Sequence, residues 1–306
     1  MTESATRPAE SSEPSRLPLP LALLKACRPK QWAKNVLVFV APAAAGVLTQ
    51  SLELRLTLQG FVAFCLVSSA TYLLNDVLDV ESDRRHPKKR LRPIASGAVP
   101  IPAAIATAVV LFIAGVALAA FTNWTLAGIV AGYAVLTTAY SLFLKQVAVL
   151  DLVILSAGFI LRLLGGAYAA GVEVSEWFLL VSLFGSLFIA GAKRFAEKQE
   201  LGDEAAALRP TLGAYSVEYL GFVRSVAAAA VMICYCQWAV ESGDSGRYAT
   251  PWVQLSIIPF VIAILRYALL VDHGEGSAPE EVLSSDRQMQ LMGGLLVVCL
   301  FLAVYV

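Results

Sequence analysis

The most informative part of the sequence is a cluster of acidic and amide side chains at the end of an apolar segment. The cluster contains Asn75, Asp76, Asp79, Glu81 and Asp83. Six Lys or Arg residues then follow within the nine positions Arg84–Arg92. Ionisable groups are costly at the boundary of a lipid bilayer, so a dense cluster there indicates function. Carboxylates followed by a basic run suit a diphosphate that is bridged by a divalent cation.

The spacing within the cluster suggests how a cation could be held. If the apolar helix continues through it, Asn75, Asp79 and Asp83 lie one turn apart on one face, with Asp76 beside them. The outer two are then separated by roughly 12 Å along the axis. Mg²⁺ prefers oxygen ligands and keeps several waters, so one or two carboxylates with phosphate oxygens can hold it. We therefore predict a Mg²⁺ site at Asn75, Asp79 and Asp83, with Asp76 completing the catalytic group. A solvated helix end is the alternative.

The composition indicates an integral membrane protein. Of the 306 residues, 58% are hydrophobic and 15% are charged, and the mean hydropathy is +0.70, whereas soluble domains carry roughly 25% charged residues. Nine apolar segments approach the length that spans a bilayer. They lie at about 33–50, 57–75, 101–121, 124–144, 147–170, 176–194, 218–240, 251–271 and 288–306. We therefore predict an all-α, polytopic membrane bundle of nine transmembrane helices.

The distribution of basic residues predicts the orientation of this bundle. With the N-terminus in the cytoplasm, twenty of the 23 Lys and Arg residues fall on the cytoplasmic side. Arg55 and Arg247 fall outside, and Arg162 lies within a span. This bias follows the positive-inside rule and places the acidic cluster at the cytoplasmic face. Because Lys and Arg equal Asp and Glu at 23 each, net charge indicates no partner, and we expect the bilayer but no nucleic acid.

The remaining segments suggest the domain organisation. Residues 1–24 are expected to form a disordered cytoplasmic tail, rich in Pro, Ser and Glu and without the apolar core of a secretory signal. Residues 25–306 are expected to form the transmembrane domain. Charged cytoplasmic loops at about 76–100 and 195–217 recur four spans apart, which hints at a pseudo-repeat with a site between its halves. The loop 272–287 is expected to be a flexible connector or a lid, and the five cysteines to be small core residues.

Further candidate substrate-binding residues lie at the ends of other segments. They are Arg84, Lys89, Arg90 and Arg92 in the basic run, Lys30, Lys34 and Asn35 near the first span, Tyr140 and Lys145 after the fourth, Arg162 in the fifth, and Lys193, Arg194 and Glu197 at the end of the sixth. Simpler explanations exist for these groups. Basic loops fix topology and interfacial lysines anchor helices, Lys193 and Glu197 can form an i,i+4 ion pair, and Arg162 can equally be a buried structural partner.

Several of these motifs resemble the UbiA superfamily of intramembrane prenyltransferases. Asn75-x₃-Asp79-x₃-Asp83 is similar to the first Asp-rich motif of that superfamily, and Tyr140-Ser-Leu-Phe-Leu-Lys145 resembles its Tyr-Pro-x₃-Lys stretch. Nine spans also match its architecture. The resemblance covers about residues 25–306 and implies a UbiA-like bundle. Members bind a Mg²⁺-diphosphate between two Asp-rich loops, ionise it and transfer the carbocation to an acceptor.

One departure from the superfamily narrows the expected reaction. Its second Asp-x₃-Asp motif is replaced here by Lys193-Arg194-Phe195-Ala196-Glu197. Together with Arg28-Pro-Lys-Gln-Trp32 and the run Asp83–Pro93, this resembles the branch that transfers phosphoribose from phosphoribosyl diphosphate (PRPP) to decaprenyl phosphate, for cell-wall arabinan. The resemblance implies a multi-pass enzyme of the bacterial plasma membrane in which Lys193 and Arg194 hold phosphate and Glu197 holds the ribose or a metal.

Two other functions remain open from the sequence alone. An aromatic or haem prenyltransferase of the same fold would use a prenyl diphosphate, and the missing second Asp pair argues against it. A transporter with an acidic cation site is expected to place its ionisable groups near the bilayer midplane, whereas here the carboxylates lie at one face. Such bundles can self-associate, so a homo-oligomer is compatible with the sequence.

Overall fold

The described part of the chain is helical and contains no strand. The computed structural model describes residues 18–202, 210–246, 248, 251–274, 282 and 285–306. The helices are α1 (Leu19–Ala26), α2 (Val40–Ala44), α3 (Ser51–Leu78), α4 (Val80–Arg85), α5 (Ile101–Thr122), α6 (Trp124–Leu142), α7 (Leu150–Ala169), α8 (Glu176–Leu201), α9 (Pro210–Ala214), α10 (Val217–Asp244), α11 (Trp252–Leu255), α12 (Ile257–Asp272) and α13 (Arg287–Tyr305). Within the described residues, eight spans are long and apolar enough to cross a membrane: α3, α5, α6, α7, α8, α10, α11 joined to α12, and α13.

The first of the nine predicted spans, at 33–50, is a broken segment instead of one continuous helix. It consists of a 3₁₀ helix at Pro29–Phe39, α2, and a second 3₁₀ turn at Val47–Thr49. Arg28 (φ +53°) precedes it, and Gly46 (φ +75°) interrupts it in the left-handed region. An eleven-residue 3₁₀ stretch is unusual and is typical of a segment under constraint. The predicted bundle is therefore present, with its first segment irregular.

Close packing against α7 and α3 explains this irregularity. A Cβ added to Gly166 on α7 would lie 1.7 Å from the carbonyl oxygen of Val38 in the broken segment. A Cβ on the neighbouring Gly165 would lie 2.3 Å from the ring of Phe64 on α3. Small residues allow helices to approach closely inside a membrane. Gly166 therefore brings the backbones of α7 and the first segment into direct contact, and Gly165 lets α7 lie close against α3.

The transmembrane domain begins earlier than the sequence predicts. Residues 19–24, which were assigned to the disordered tail, belong to α1. Ala22 and Ala26 of this helix are buried in a cluster with Leu73 of α3 and Ile94 of the following loop. The reason is the apolar run that follows Pro18, since Pro is well tolerated at a helix start. Residues 1–17 lie outside the described residues.

The spans form two groups, each with its own apolar core. In the first group α3 packs along α5, and Phe64 meets Tyr133 of α6 edge to face at 5.5 Å. In the second group α8 packs along α10, and Phe188 meets Tyr267 of α12 at 5.6 Å. These helix pairs are four spans apart, which is the interval between the two long charged loops.

The end of the expected connector or lid is fixed to the bundle. Within 272–287, residues 275–281, 283 and 284 lie outside the described residues. Asp286 accepts a hydrogen bond from Arg266 Nη2 at 2.7 Å and caps α13 by accepting from the Met289 amide at 2.8 Å. These hydrogen bonds, that from Arg266 foremost, lower the pKa of Asp286. The five cysteines are free, and three of them are buried, in agreement with a core role.

We expect Gly166→Ala to destabilise the protein by about 3 kcal/mol or more, because the new methyl group would overlap backbone that cannot move aside. The measurement is thermal unfolding of the purified protein in detergent. Gly128→Ala on α6 is the control, since a Cβ there meets no atom within 4 Å. A Gly166→Ala protein as stable as Gly128→Ala would contradict the close approach.

Candidate active site

The acidic cluster lies at a break between α3 and α4. Helix α3 ends at Leu78, Asp79 occupies the turn, and α4 begins at Val80. The Asp79 amide nevertheless donates to the Asn75 carbonyl at 2.9 Å, and the Asp83 amide donates to the Asp79 carbonyl at 2.8 Å. The continuous helix expected from the sequence is therefore interrupted, but the one-turn spacing of Asn75, Asp79 and Asp83 is kept.

Two of the carboxylates are buried and bound by arginines. Asp76 and Asp83 are each 2% exposed. Asp76 Oδ1 accepts from Arg28 Nη2 at 2.5 Å and from Arg92 Nη1 at 3.2 Å. The same Arg92 nitrogen lies 2.6 Å from Asp83 Oδ2. Buried carboxylates require such partners, because desolvation of an isolated charge is expensive. Asp76 is therefore part of an internal ion-pair network that joins three segments of the chain.

Asp79 and Asn75 are more accessible than Asp76 and Asp83. The Asp79 side chain is 31% exposed, and its Oδ1 lies 3.3 Å from Lys145 Nζ. The Asn75 side chain makes no hydrogen bond to the described part of the chain. No group of three or more His, Cys, Asp or Glu side chains converges within the described residues. Asn75 and Asp79 offer accessible oxygen donors that fit Mg²⁺, which needs few protein ligands when phosphate oxygens supply the others. Asp83 adds a buried carboxylate whose Oδ2 is held by Arg92.

The basic run follows the acidic cluster, and only some of its side chains contact the carboxylates of the cluster. Arg84 Nη1 binds Glu81 at 2.9 Å, and Arg84 Nε donates to the Ala95 carbonyl at 3.3 Å. Lys89 and Arg90 are exposed, so within the described residues Arg92 is the member of the run that reaches the buried carboxylates. Gly97 ends the turn with φ +79°, the left-handed exit that its residue type permits.

A basic cavity of about 310 Å³ opens beside this network. Its charged lining residues are Lys25, Arg28, Asp76, Lys88 and Arg92. Four cations surround one carboxylate that is already paired, so the cavity presents a net positive surface. Such a surface favours an anion rich in oxygen acceptors, such as a phosphate.

Arg194 does not line an open surface, which corrects the role expected for it. It is 1% exposed. Its Nε donates to Asp151 Oδ2 at 2.8 Å, its Nη1 to Glu197 Oε2 at 2.7 Å, and its Nη2 to the Tyr140 hydroxyl at 3.0 Å. Successive residues on a helix point about 100° apart, so Arg194 faces the interior while Lys193 is only half-buried. The alternative explanation, an i,i+4 pair of Lys193 with Glu197, is not what the described residues show, since Glu197 pairs with Arg194 at i,i+3.

Arg162 and Asn35 also belong to the interior, which corrects their placement in a substrate pocket. Arg162 is 6% exposed, and Asn35 is fully buried. The guanidinium donates from Nε to Asn35 Oδ1, from Nη1 to the Gly158 carbonyl and from Nη2 to the Tyr133 hydroxyl, each at 2.7 Å. It also lies over the Tyr133 ring at 4.6 Å. The Asn35 amide donates to Ser68 Oγ at 3.2 Å. This arrangement matches the structural alternative for Arg162.

Lys30 and Lys34 lie instead at one end of a long apolar groove of about 640 Å³. The groove runs along the broken first segment and α8 towards Ala44, Trp238 and Leu300. Its lining is predominantly apolar, and the two lysines bring positive charge to one end. Such a site suits a ligand with an anionic head and a long hydrocarbon tail.

Three residues of the site escaped prediction from the sequence. Arg28 was recognised only within a motif, although an Arg followed by Pro before a span could have signalled a cap on a nearby acid. Asp151 was not predicted as a site residue, because its partners Arg194 and Tyr215 are distant in the sequence. Tyr215, whose hydroxyl donates to Asp151 Oδ1 at 2.5 Å, carried no sequence signal, because the two residues are 64 positions apart.

The chain is similar to one family model and to relatives that share one name. A family model described as UbiA prenyltransferase family matches residues 36–304. A decaprenyl-phosphate phosphoribosyltransferase of Corynebacterium glutamicum is 43% identical over 312 aligned positions, covering 100% of this chain and 94% of the relative. The protein of the same name from Mycolicibacterium smegmatis is 41% identical, with 94% and 95% covered. That from Mycobacterium tuberculosis is 43% identical, with 88% and 90% covered.

Solved structures share the fold. A UbiA homolog from Archaeoglobus fulgidus, bound to GPP and Mg²⁺, superposes with a TM-score of 0.69 at 18% identity, covering 93% of this chain and 100% of that one. The same homolog bound to DMAPP and Mg²⁺ gives a TM-score of 0.69 at 17% identity, with 93% and 99% covered. At these identities the likeness concerns the fold alone.

We expect Asp76→Ala to lower the free energy of unfolding by about 2 kcal/mol, because it removes the charged hydrogen-bond acceptor that Arg28 and Arg92 share. Thermal unfolding in detergent is the measurement. Asp79→Ala is the matched control: its carboxylate and its partner Lys145 are both about a third exposed, and such a pair contributes under about 1 kcal/mol. Equal losses of stability in the two variants would contradict the division into a structural and an open carboxylate.

Proposed function

The chain belongs to the UbiA prenyltransferase family, and we propose that it transfers 5-phosphoribose from PRPP to decaprenyl phosphate or a similar polyprenyl phosphate, releasing diphosphate. The observation that carries this proposal is the identity of 41–43% to three decaprenyl-phosphate phosphoribosyltransferases over 88–100% of the chain. The geometry supports it, because a carboxylate site with basic neighbours lies near one end of an apolar groove.

The donor is proposed to bind at the α3–α4 break. Asp79 and Asp83, with Asn75, would hold Mg²⁺, and Lys145 lies next to Asp79 to meet the diphosphate. The basic cavity beside Arg28 and Arg92 offers a place for a second phosphate group. PRPP carries a diphosphate at C1 and a phosphate at C5, so two separated cationic regions suit it better than they suit a prenyl diphosphate, which is charged at one end only.

The proposed reaction is a displacement at C1 of the ribose. An oxygen of the acceptor phosphate forms a bond to C1, the bond from C1 to the diphosphate oxygen breaks, and diphosphate leaves. Bound Mg²⁺ would neutralise the negative charge that develops on the leaving group. Lys145 adds a preorganised positive charge at the same place. The acceptor phosphate is already ionised, so no side chain is needed as a strong general base.

The acceptor is proposed to lie in the apolar groove. Its phosphate would meet Lys30 and Lys34, and its hydrocarbon tail would extend past Phe159 and Ser182 towards Trp238. Arg28 of the acidic network precedes Lys30 by two positions. The first segment therefore borders both substrates, which brings the acceptor phosphate towards the ribose.

The cellular setting follows from this reaction as a proposal. The enzyme would be a multi-pass protein of the bacterial plasma membrane with its active site facing the cytoplasm, where soluble PRPP is made, and its product would supply decaprenyl-phosphoryl arabinose for cell-wall arabinan. A homo-oligomer is compatible with this setting. The aromatic or haem prenyltransferase alternative is not favoured, because the relatives at 41–43% identity carry a different name and activity.

We expect the purified protein to transfer label from labelled PRPP into the lipid phase when Mg²⁺ and decaprenyl phosphate are present, and to stop when the cation is chelated. Asp79→Asn should lower the rate at least about a hundredfold, because a site for the leaving group's charge is lost. Glu81→Gln is the control, since Glu81 is 71% exposed and binds only Arg84 among the described residues. Label transfer from a prenyl diphosphate to an aromatic acid, without transfer from PRPP, would contradict the proposal.

The groove provides a separate test. Ser182→Leu should raise the KM for decaprenyl phosphate about tenfold, because the larger side chain narrows the groove, while the KM for PRPP stays unchanged. Leu183→Phe, on the exposed side of the same helix, is the control and should change neither constant. Initial rates at varied lipid concentration provide the measurement. An unchanged lipid KM in Ser182→Leu would place the acceptor elsewhere.

A further inference from the structure

A strained turn lies next to Lys145. Val149 has φ +68° and ψ −49°, and the Leu150 amide donates to the Ala148 carbonyl at 2.8 Å. This is a three-residue γ-turn of the rare, strained form. A β-branched residue at positive φ is a genuine outlier. Such a conformation persists only where the surroundings hold it, and it is frequently associated with a functional site.

The hydroxyl of Tyr215 holds this turn. It accepts a hydrogen bond from the Val149 amide at 2.6 Å and donates one to Asp151 Oδ1 at 2.5 Å. The Tyr215 side chain is 3% exposed. Burial, followed by the hydrogen bond to Asp151, raises the pKa of Tyr215, so its hydroxyl stays protonated and able to donate. The phenol thus fixes both the strained residue and the first turn of α7.

The backbone just before the γ-turn is held by the same segment of the chain. Thr211 Oγ1, four residues before Tyr215, donates to the carbonyl oxygen of Lys145 at 3.3 Å. Thr211 is 1% exposed. The stretch from Thr211 to Tyr215 therefore clamps the backbone at Lys145 and at Val149, while the Lys145 side chain reaches across to Asp79.

We propose that Tyr215 is a positioning residue for the transferase, whose hydroxyl holds Val149 in the γ-turn and thereby sets Lys145 against Asp79. This inference rests on the proposed function, because Lys145 is assigned to the diphosphate of the donor. Tyr215 touches no substrate in this scheme. Through Lys145 it links the segment between α9 and α10 to the acidic cluster at the end of α3.

The test is the kinetic behaviour of Tyr215→Phe in the full-length protein in detergent. The variant loses both hydrogen bonds, so Lys145 is displaced, and kcat/KM for PRPP should fall on the order of tenfold to a hundredfold, with the KM for decaprenyl phosphate unchanged. Tyr219→Phe is the matched control, because its ring stacks on Tyr215 at 5.6 Å and its hydroxyl has no partner in the described part of the chain. This control should match the wild type.

Rescue separates positioning from a general structural role. Glycine adopts positive φ without strain, so Tyr215→Phe with Val149→Gly should recover kcat/KM for PRPP by about tenfold relative to Tyr215→Phe alone. If Tyr215→Phe does not fold, Thr211→Val provides the test and should raise the KM for PRPP about threefold. The inference would be overturned by an unchanged kcat/KM for PRPP in Tyr215→Phe, or by no recovery in the double variant. If Tyr215→Phe does not fold, an unchanged KM for PRPP in Thr211→Val would overturn it.

Hydrogen exchange distinguishes failure of this inference from failure of the proposed function. Amides of residues 144–151 are followed without any substrate. Faster exchange in Tyr215→Phe than in Tyr219→Phe supports the clamp even if the wild-type protein transfers no phosphoribose, a result that would refute the proposed function alone. Equal exchange in the two variants overturns the clamp, whatever the activity of the wild type.

Discussion

The contact of Arg92 with Asp76 and Asp83 ties together the end of the bundle that carries the acidic cluster. One guanidinium joins the last turn of α3, helix α4 and the loop that leads into α5, and Arg28 adds the first segment through Asp76. Without these cations, two carboxylates that are each 2% exposed would carry uncompensated buried charge. The acidic cluster can therefore be dense because part of it is neutralised from within, which leaves Asp79 and Asn75 accessible to a ligand.

Two further arginines bind helices together inside the bundle. Arg162 on α7 binds Asn35 of the first segment and Tyr133 of α6, and Arg194 on α8 binds Asp151 of α7 and Tyr140 of α6. Both guanidinium groups make at least three hydrogen bonds and are nearly inaccessible. Polar groups away from water must be satisfied by protein partners, so these clusters fix the relative positions of helices that carry the open site residues.

The sequence predicted the helical fold and the place of the acidic cluster because both depend on local signals, namely apolar length and charge at a span boundary. The sequence could not show which of Lys193 and Arg194 faces the interior, because neighbouring residues on a helix point about 100° apart. It also could not find the partners of Asp151 and Asp76, which lie 64 and 48 positions away in Tyr215 and Arg28. Tertiary packing alone sets those pairs.

The irregular first segment reflects two demands that one regular helix does not meet. Asn35 must reach Arg162, and the backbone of Val38 must lie against Gly166 of α7. Lys30, Lys34 and the apolar residues after them must line the groove. A tighter 3₁₀ stretch changes the angular spacing of side chains and allows this division. The segment thus separates a charged region, suited to a water-soluble donor, from an apolar groove suited to a lipid, and keeps the two within reach of each other.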